Sequence, residues 1–135
     1  MKLLALTILC AAAIAPAALA AMPHEVMPVK VVKSKQFGPV VANGKGIALY
    51  TWNREKDGQV RCTGTCAKQW PPLLVMKGDR VVEHVKGVMG TLGTTTRPDG
   101  HVQVTLNRRP LYTYSGDTPT KILCNGVDGW FVVEA

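Results

Sequence analysis

A short aromatic motif that occurs twice constrains the fold more than any other feature of this chain. Leu-Tyr-Thr-Trp at 49–52 returns as Leu-Tyr-Thr-Tyr at 111–114. A cysteine and then a tryptophan follow each copy at similar spacing. These four residues are Cys62, Trp70, Cys124 and Trp130. Internal similarity of this kind indicates related units that stack on each other. We therefore expect two units that bury each other's apolar faces.

Turn residues between short apolar stretches predict the fold class. Asn43-Gly44 and Pro98-Asp99-Gly100 are turn signals, and the first lies between apolar runs, as in a hairpin. Residues 101–106 alternate as a half-buried strand does, and no stretch of helical length has an apolar residue every 3.6 positions. We predict an all-β fold: a small single domain of two pseudo-repeats of short antiparallel strands. At most one or two helical turns are expected, one of them around 66–69.

The first 20 residues have the features of an export signal. Lys2 precedes an apolar run that ends at Ile14, and Ala18-Leu19-Ala20 is a small-x-small cleavage site. The run is shorter than the roughly 20 residues that span a bilayer, so we expect no membrane span. Ile8 and Leu9 are too large for a lipidation site at Cys10. The mature protein is expected in the periplasm or secreted, after cleavage near Ala20.

The rest of the chain divides into a leading segment and one domain. Residues 21–36 are predicted to be an N-terminal linker or edge segment, in which Lys30, Lys33 and Lys35 interleave with valines as on a protected edge strand. Residues 37–135 are predicted to be the β-rich domain. Repeat one covers about 37–76, and repeat two covers about 94–135.

The charge of the chain bears on its partners. Without Lys2, 15 basic and 9 acidic residues remain, which gives a net charge of +6. A basic surface favours acidic partners such as lipopolysaccharide, nucleic acid or anionic polymers. No specific nucleic-acid motif is present, so an anionic envelope component is the partner that we expect. The simpler interpretation is a solvated basic surface without a partner.

Three cysteines remain after export to an oxidising compartment, and an odd number leaves one sulfur over in a monomer. Cys62 and Cys66 are close enough in one loop to join, with a gain of about 2 kcal/mol in the chain-entropy model. A bond between Cys62 and Cys124 would close a longer loop and gain about 4 kcal/mol. The spacing leaves both pairings open. Together the three sulfurs could also bind zinc with His84 or His101, or serve thiol redox chemistry.

Copper is the other metal for which the sequence offers ligands. Met22, His24 and Met27 lie near the mature start, and thioethers and imidazole suit this metal. Pro23 lacks the amide proton that a tight amino-terminal chelate would lose, so only loose binding is expected. We therefore predict no metal site and no cofactor.

Signatures of catalysis are missing from the sequence. It contains no G-x-S-x-G, no H-E-x-x-H and no phosphate-binding loop. The aromatic residues of the two copies are expected to pack the core and the junction between repeats rather than form a ligand platform. The predicted function is a non-catalytic binding or structural module. The alternative is a periplasmic metal-binding or thiol-redox accessory protein that uses Cys62, Cys66 and Cys124.

The motifs resemble those of a bacterial secreted and lipoprotein repeat family of unknown function, which is described by Tyr-x-aromatic-x-x-Asp. Tyr112, Tyr114 and Asp117 fit that pattern fully. Tyr50 and Trp52 fit it too, but the first copy has glutamate at position 55, where aspartate is usual. Further matches are Cys-x-Gly-x-Cys-Ala at 62–67, Trp-Pro-Pro-Leu at 70–73 and Arg-x-Asp-Gly at 97–100.

The resemblance covers about residues 37–135 and implies tandem β-rich repeats in the cell envelope. It implies no activity. Because the family pairs its cysteines within one repeat, it also implies a disulfide between Cys62 and Cys66. Cys124 would then be a free thiol, in a monomer, or the link between two chains in a dimer. The acidic residues of the motif, Glu55 and Asp117, are expected to bond backbone amides in the loops after the strands.

Overall fold

The computed structural model describes residues 12–135, and strands are its main regular structure. Residues 1–11, with most of the predicted export signal and Cys10, lie outside the described residues. The all-β prediction is confirmed, as is one helical turn near 66–69. The strands are β1 (Glu25–Val26), β2 (Val29–Ser34), β3 (Gly38–Asn43), β4 (Tyr50–Trp52), β5 (Leu74–Val75), β6 (Arg80–Val81), β7 (Leu92–Thr96), β8 (Val102–Leu106), β9 (Arg109–Pro110) and β10 (Trp130–Val132). The helical elements are a 3₁₀ turn (Asn53–Glu55) and α1 (Thr65–Gln69).

Each repeat begins with an antiparallel pair of strands. In the first repeat β2 pairs with β3, and Val29 lies opposite Asn43. In the second repeat β7 pairs with β8, and Leu92 lies opposite Leu106. The Asn43 side chain accepts hydrogen bonds from two amides of the turn that follows β3, as expected for an Asn-Gly turn. After its strand pair, each repeat continues to its copy of the aromatic motif.

The end of each repeat pairs with the other repeat. β5 closes the first repeat and pairs with β8 of the second, so that Leu74 lies opposite Gln103. Near the end of the second repeat, Glu134 forms a bridge to Val40 of the first. Neither repeat therefore satisfies all of its sheet hydrogen bonds from its own residues.

Backbone hydrogen bonds also link the end of each repeat to the other repeat. The Leu73 amide donates to the Leu111 carbonyl at 2.9 Å, and the Val133 amide donates to the Leu49 carbonyl at 2.8 Å. At the centre, the Tyr50 amide donates to the Tyr112 carbonyl at 2.8 Å, and the Tyr112 amide donates to the Tyr50 carbonyl at 3.0 Å. The two motif strands thus meet at an approximate two-fold relation between the repeats.

Alternation along the motif strands divides the core in two. Because successive side chains of a strand point to opposite faces, Leu49 and Leu111 face one side and Tyr50 and Tyr112 the other. The aliphatic cluster contains Val29, Val41, Leu49, Val81, Leu92, Val104, Leu106 and Leu111. The aromatic cluster contains Val40, Ala48, Tyr50, Cys62, Trp70, Tyr112, Ile122, Trp130 and Val132.

The leading segment contains regular structure. β1 pairs in parallel with β6, with Glu25 opposite Arg80, and β2 forms six residues of ladder with β3. The parallel pair joins distant parts of the chain, which sequence periodicity does not reveal. In residues 12–135, no helix has both the length and the apolar character needed to cross a membrane.

Candidate functional site

The tyrosines and acids of the motif form crossed hydrogen bonds between the repeats. The Tyr50 hydroxyl donates to Asp117 Oδ2 at 2.6 Å, and the Tyr112 hydroxyl donates to Glu55 Oε2 at 3.0 Å. Each acid follows the tyrosine of its own repeat in sequence but bonds the tyrosine of the other. All four side chains are buried. The motif therefore joins the two repeats.

The same carboxylates hold the loops that follow the motif strands. Glu55 Oε2 accepts hydrogen bonds from the amides of Arg61 and Cys62. Asp117 Oδ1 accepts one from the Leu123 amide at 2.9 Å. Each acid thus bonds the backbone immediately before or at a cysteine of its own repeat.

Burial shifts the pKa values of the two tyrosines and of Asp117. Burial and, after it, the contacts with Asp117 raise the pKa of Tyr50 above its usual value. Burial and the nearby Glu55 carboxylate raise the pKa of Tyr112 likewise. Burial also raises the pKa of Asp117, although the Tyr50 hydroxyl and the Leu123 amide oppose the rise. Both hydroxyls remain protonated donors throughout the neutral range.

Stability should consequently fall at alkaline pH. Below pH 10 both tyrosines are neutral in the folded and the unfolded chain, but above it only the unfolded chain loses the two protons. The free energy of unfolding should then decrease by about 1.4 kcal/mol per pH unit for each tyrosine. Urea unfolding between pH 10 and 12 measures the slope, and Tyr112→Phe should halve the contribution of these two buried tyrosines. An unchanged slope in that variant would contradict the assignment.

Four aromatic rings form a continuous stack beside these bonds. Trp52 lies parallel to Trp130 with centroids 4.9 Å apart, and Trp130 lies parallel to Trp70 at 4.0 Å. Tyr114 follows Trp70 at 4.9 Å, and the Arg54 guanidinium caps the other end, 5.4 Å from the Trp52 ring. The two central rings are buried, and the outer two are partly exposed. The stack packs the junction between the repeats.

The arginine of the Arg-x-Asp-Gly motif at 97–100 is buried and completes the interior. Arg97 donates to Gln103 Oε1 at 2.6 Å and to the Cys62 carbonyl at 2.8 Å. Gln103 in turn donates to the Leu111 carbonyl at 2.8 Å. A buried charge requires partners of this kind. In the sequence, Arg97 is marked by this motif and by its position just before the Pro-Asp-Gly turn, which places it immediately after β7.

The structure confirms the disulfide that the family resemblance implied. Cys62 and Cys66 are joined, with Cα atoms 5.2 Å apart, across the start of α1. Cys124 is the free cysteine among the described residues, and it is partly buried beside the aromatic cluster. Within residues 12–135, no three His, Cys, Asp or Glu side chains are grouped so that they could hold a metal ion.

Loss of the disulfide should destabilise the fold only modestly. Because the bond closes a small ring, Cys62→Ser combined with Cys66→Ser should lower the free energy of unfolding by about 2 kcal/mol. Urea unfolding measures this loss, and Cys124→Ser is the matched control with a smaller change. A loss near 4 kcal/mol or above would show that the bond restrains more of the chain than its own loop.

The structure separates the candidate copper ligands from the core. Met22 and Met27 are exposed, and His24 Nδ1 lies 3.6 Å from Asp79 Oδ1. Calorimetric titration with copper would check the prediction that these residues form no tight metal site.

A cleft of about 210 Å³ lies at the surface beside the core. It lies between the β2–β3 strand pair, the turn at 43–46 and the loop at 118–122. Its apolar floor and polar rim are formed by Val32, Lys33, Ser34, Lys35, Val40, Gly46, Ala48, Thr118, Pro119, Thr120 and Ile122. The sequence predicts that Lys33 and Lys35 lie on an edge strand, but it does not predict that the 118–122 loop lies beside them.

Fold and motif together define an all-β module of two interlocked repeats. A family described as a secreted repeat of unknown function matches residues 31–74 and 93–134, and the chain belongs to this family. Each matched segment contains one copy of the motif. The family's description supports export. No curated protein and no solved structure matches the chain.

Proposed function

We propose that this protein is an exported, non-catalytic binding module whose lysines meet an anionic component of the cell envelope. The observation that carries the proposal is the state of those lysines. All nine in the described residues are exposed, and none of them forms an ion pair within residues 12–135. They are Lys30, Lys33, Lys35, Lys45, Lys56, Lys68, Lys77, Lys86 and Lys121.

The placement of the acidic residues adds to this positive surface. Glu55 and Asp117 are buried, so two of the nine carboxylates do not face solvent. Asp57 and Glu25 form ion pairs with arginines rather than lysines, at 2.6 Å in each case. The lysines are therefore available to an external anion. Attraction between exposed charges is screened by salt, so binding should depend on ionic strength.

The interior of the protein supports a non-catalytic role. The Tyr50, Tyr112 and Asp117 side chains that resemble acid and base groups are buried and bonded to one another or to Glu55. The alternative function needs Cys62, Cys66 and Cys124, and the disulfide already occupies two of these sulfurs. Counting free thiols on protein taken directly from cells separates the two: one reactive thiol favours binding, and three favour metal or redox work.

Dextran sulfate and uncharged dextran provide a matched pair of probes. The mature protein should bind the sulfated polymer, with an affinity that falls about tenfold or more between low and high salt, and should not bind dextran. Equal binding to both polymers, or no binding to either, would contradict the proposal. Specific turnover of an envelope substrate would contradict its non-catalytic part.

A further inference from the structure

We infer that the cleft beside the β2–β3 pair binds an amphiphilic anion, in which a carboxylate or phosphate headgroup is joined to an aliphatic chain. The inference rests on the proposed function, because it assigns the anionic partner a site and a chemical class. A lipid-like molecule is the occupant, in contrast to a polyanion that contacts lysines over the whole surface.

The floor of the cleft is apolar and comes from separate parts of the chain. Val32 and Val40 lie opposite each other on β2 and β3, Ala48 follows the 43–46 turn, and Ile122 comes from the second repeat. Val40, Ala48 and Ile122 also belong to the aromatic cluster, so the core behind the cleft supports its floor. An inorganic anion alone would gain nothing from such a surface, whereas a short aliphatic chain would be removed from water there.

Specific contacts hold the two walls together. The Gln36 side chain donates to the Ile122 carbonyl at 3.2 Å and accepts from the Ile122 amide at 2.9 Å. On the other side Gly46, whose φ is +84°, faces Pro119: a Cβ built on the glycine would lie at ordinary contact distance, 3.7 Å from the proline Cβ. The cleft is thus preformed, which reduces the entropy cost of binding.

The rim is positive and rich in hydroxyl groups. Lys33 and Lys35 are exposed, and Ser34, Thr118 and Thr120 supply hydrogen-bond donors. None of the residues that line the cleft in the described chain carries a carboxylate. The nearest acid in sequence, Asp117, is buried and accepts hydrogen bonds from Tyr50 and Leu123. The rim therefore suits an anionic headgroup, whereas a neutral alkyl chain would form no ionic contact with the two lysines.

The size of the cleft limits what enters it. Its volume of about 210 Å³ lies below the roughly 300–1,000 Å³ of sites that enclose drug-sized ligands. Only a headgroup and the adjoining part of a chain fit, and the remainder of a longer chain would extend into solvent or a membrane. Short-chain amphiphiles are consequently adequate probes.

Isothermal titration calorimetry with four probes tests the inference. Octyl phosphate and octanoate, kept monomeric, should bind with one site per chain. Octyl glucoside lacks the charge and inorganic phosphate lacks the chain, so each should bind about tenfold more weakly or worse. Equal affinity for octyl glucoside would overturn the anionic part of the inference, and equal affinity for inorganic phosphate would overturn the apolar part.

Two pairs of variants locate the binding in the cleft. Lys33→Gln with Lys35→Gln should weaken octyl phosphate binding about tenfold, whereas Lys68→Gln with Lys77→Gln removes the same charge elsewhere and should change it little. Val32→Thr should weaken it about threefold. Val31→Thr is its control, because Val31 is the neighbouring strand residue and does not line the cleft.

The outcomes also separate this inference from the proposed function. If the protein binds dextran sulfate but not the octyl anions, the cleft assignment is wrong and the basic surface still has an anionic partner. If it binds neither, the proposed function is wrong as well. Equal losses in both lysine pairs would show that the octyl anions contact the surface at large, and would overturn the cleft as their site.

Discussion

Trp130→Ala should lower the free energy of unfolding by about 4 kcal/mol, a large loss even for a core substitution. Trp130 lies between the parallel rings of Trp52 and Trp70 and meets the Tyr112 ring edge-on at 5.1 Å. Removing the indole leaves a cavity at the junction of the repeats, lined by three rings that lose their contacts. Urea unfolding followed by circular dichroism measures the change.

Phe131 provides the control for this prediction. It is the next residue of β10, and its ring is 42% exposed because successive side chains point to opposite faces. Phe131→Ala should therefore lower the free energy of unfolding by about 1 kcal/mol or less. Similar losses in the two variants would show that the stack contributes no more than an exposed ring.

Glu55→Ala should lower the free energy of unfolding by about 3–5 kcal/mol. The substitution removes the acceptor of the Tyr112 hydroxyl and of the amides of Arg61 and Cys62. Buried donors that lose their acceptor keep the full cost of having left water. Thermal and urea unfolding measure the loss, and the disulfide should still form because its loop closes within a few residues.

Two further variants show whether the acceptor is responsible. Glu55→Gln keeps an acceptor oxygen of the same shape, so its loss should be smaller, about 1–2 kcal/mol. Glu134→Ala removes an exposed carboxylate and should change the free energy of unfolding by about 0.5 kcal/mol or less. A loss for Glu55→Ala no larger than that for Glu134→Ala would contradict the role of Glu55.

The sequence predicts the local parts of this fold well because local chemistry determines them. The Asn43-Gly44 turn, the strand at 102–106 and the helical turn after Cys66 all depend on neighbouring residues. The half-burial predicted for that strand is wrong, because other strands and loops cover both of its faces. The repeat was visible because both copies keep the spacing from tyrosine to cysteine. Family resemblance supplied the disulfide pairing that spacing left open.

The side-chain hydrogen bonds between the two repeats cannot be predicted from the sequence in the same way. Tyr50 and Glu55 are five residues apart, so sequence suggests a contact within one repeat, yet Tyr50 bonds Asp117, 67 residues away. Such pairing depends on how two folded units meet, which no local pattern encodes. The parallel contact of β1 with β6 escapes prediction for the same reason.

The cleft cannot be predicted from the sequence for a related reason. The interleaving of Lys33 and Lys35 with valines predicts protection of an edge strand, which is its local meaning. The opposite wall of the cleft comes from the loop at 118–122, which is bound to Gln36 by two hydrogen bonds. Arg97 likewise becomes part of the interior only because its side chain reaches the Cys62 carbonyl, 35 residues away in sequence.

Double-mutant cycles on the two tyrosines and two acids provide the most direct measurement of the crossed hydrogen bonds between the repeats. The cycle of Tyr112→Phe with Glu55→Gln and the cycle of Tyr50→Phe with Asp117→Asn should each give a coupling free energy of about 1 kcal/mol or more. The cycles that combine residues of one repeat, Tyr50 with Glu55 and Tyr112 with Asp117, should give coupling near zero. Coupling within the repeats and none between them would contradict the account.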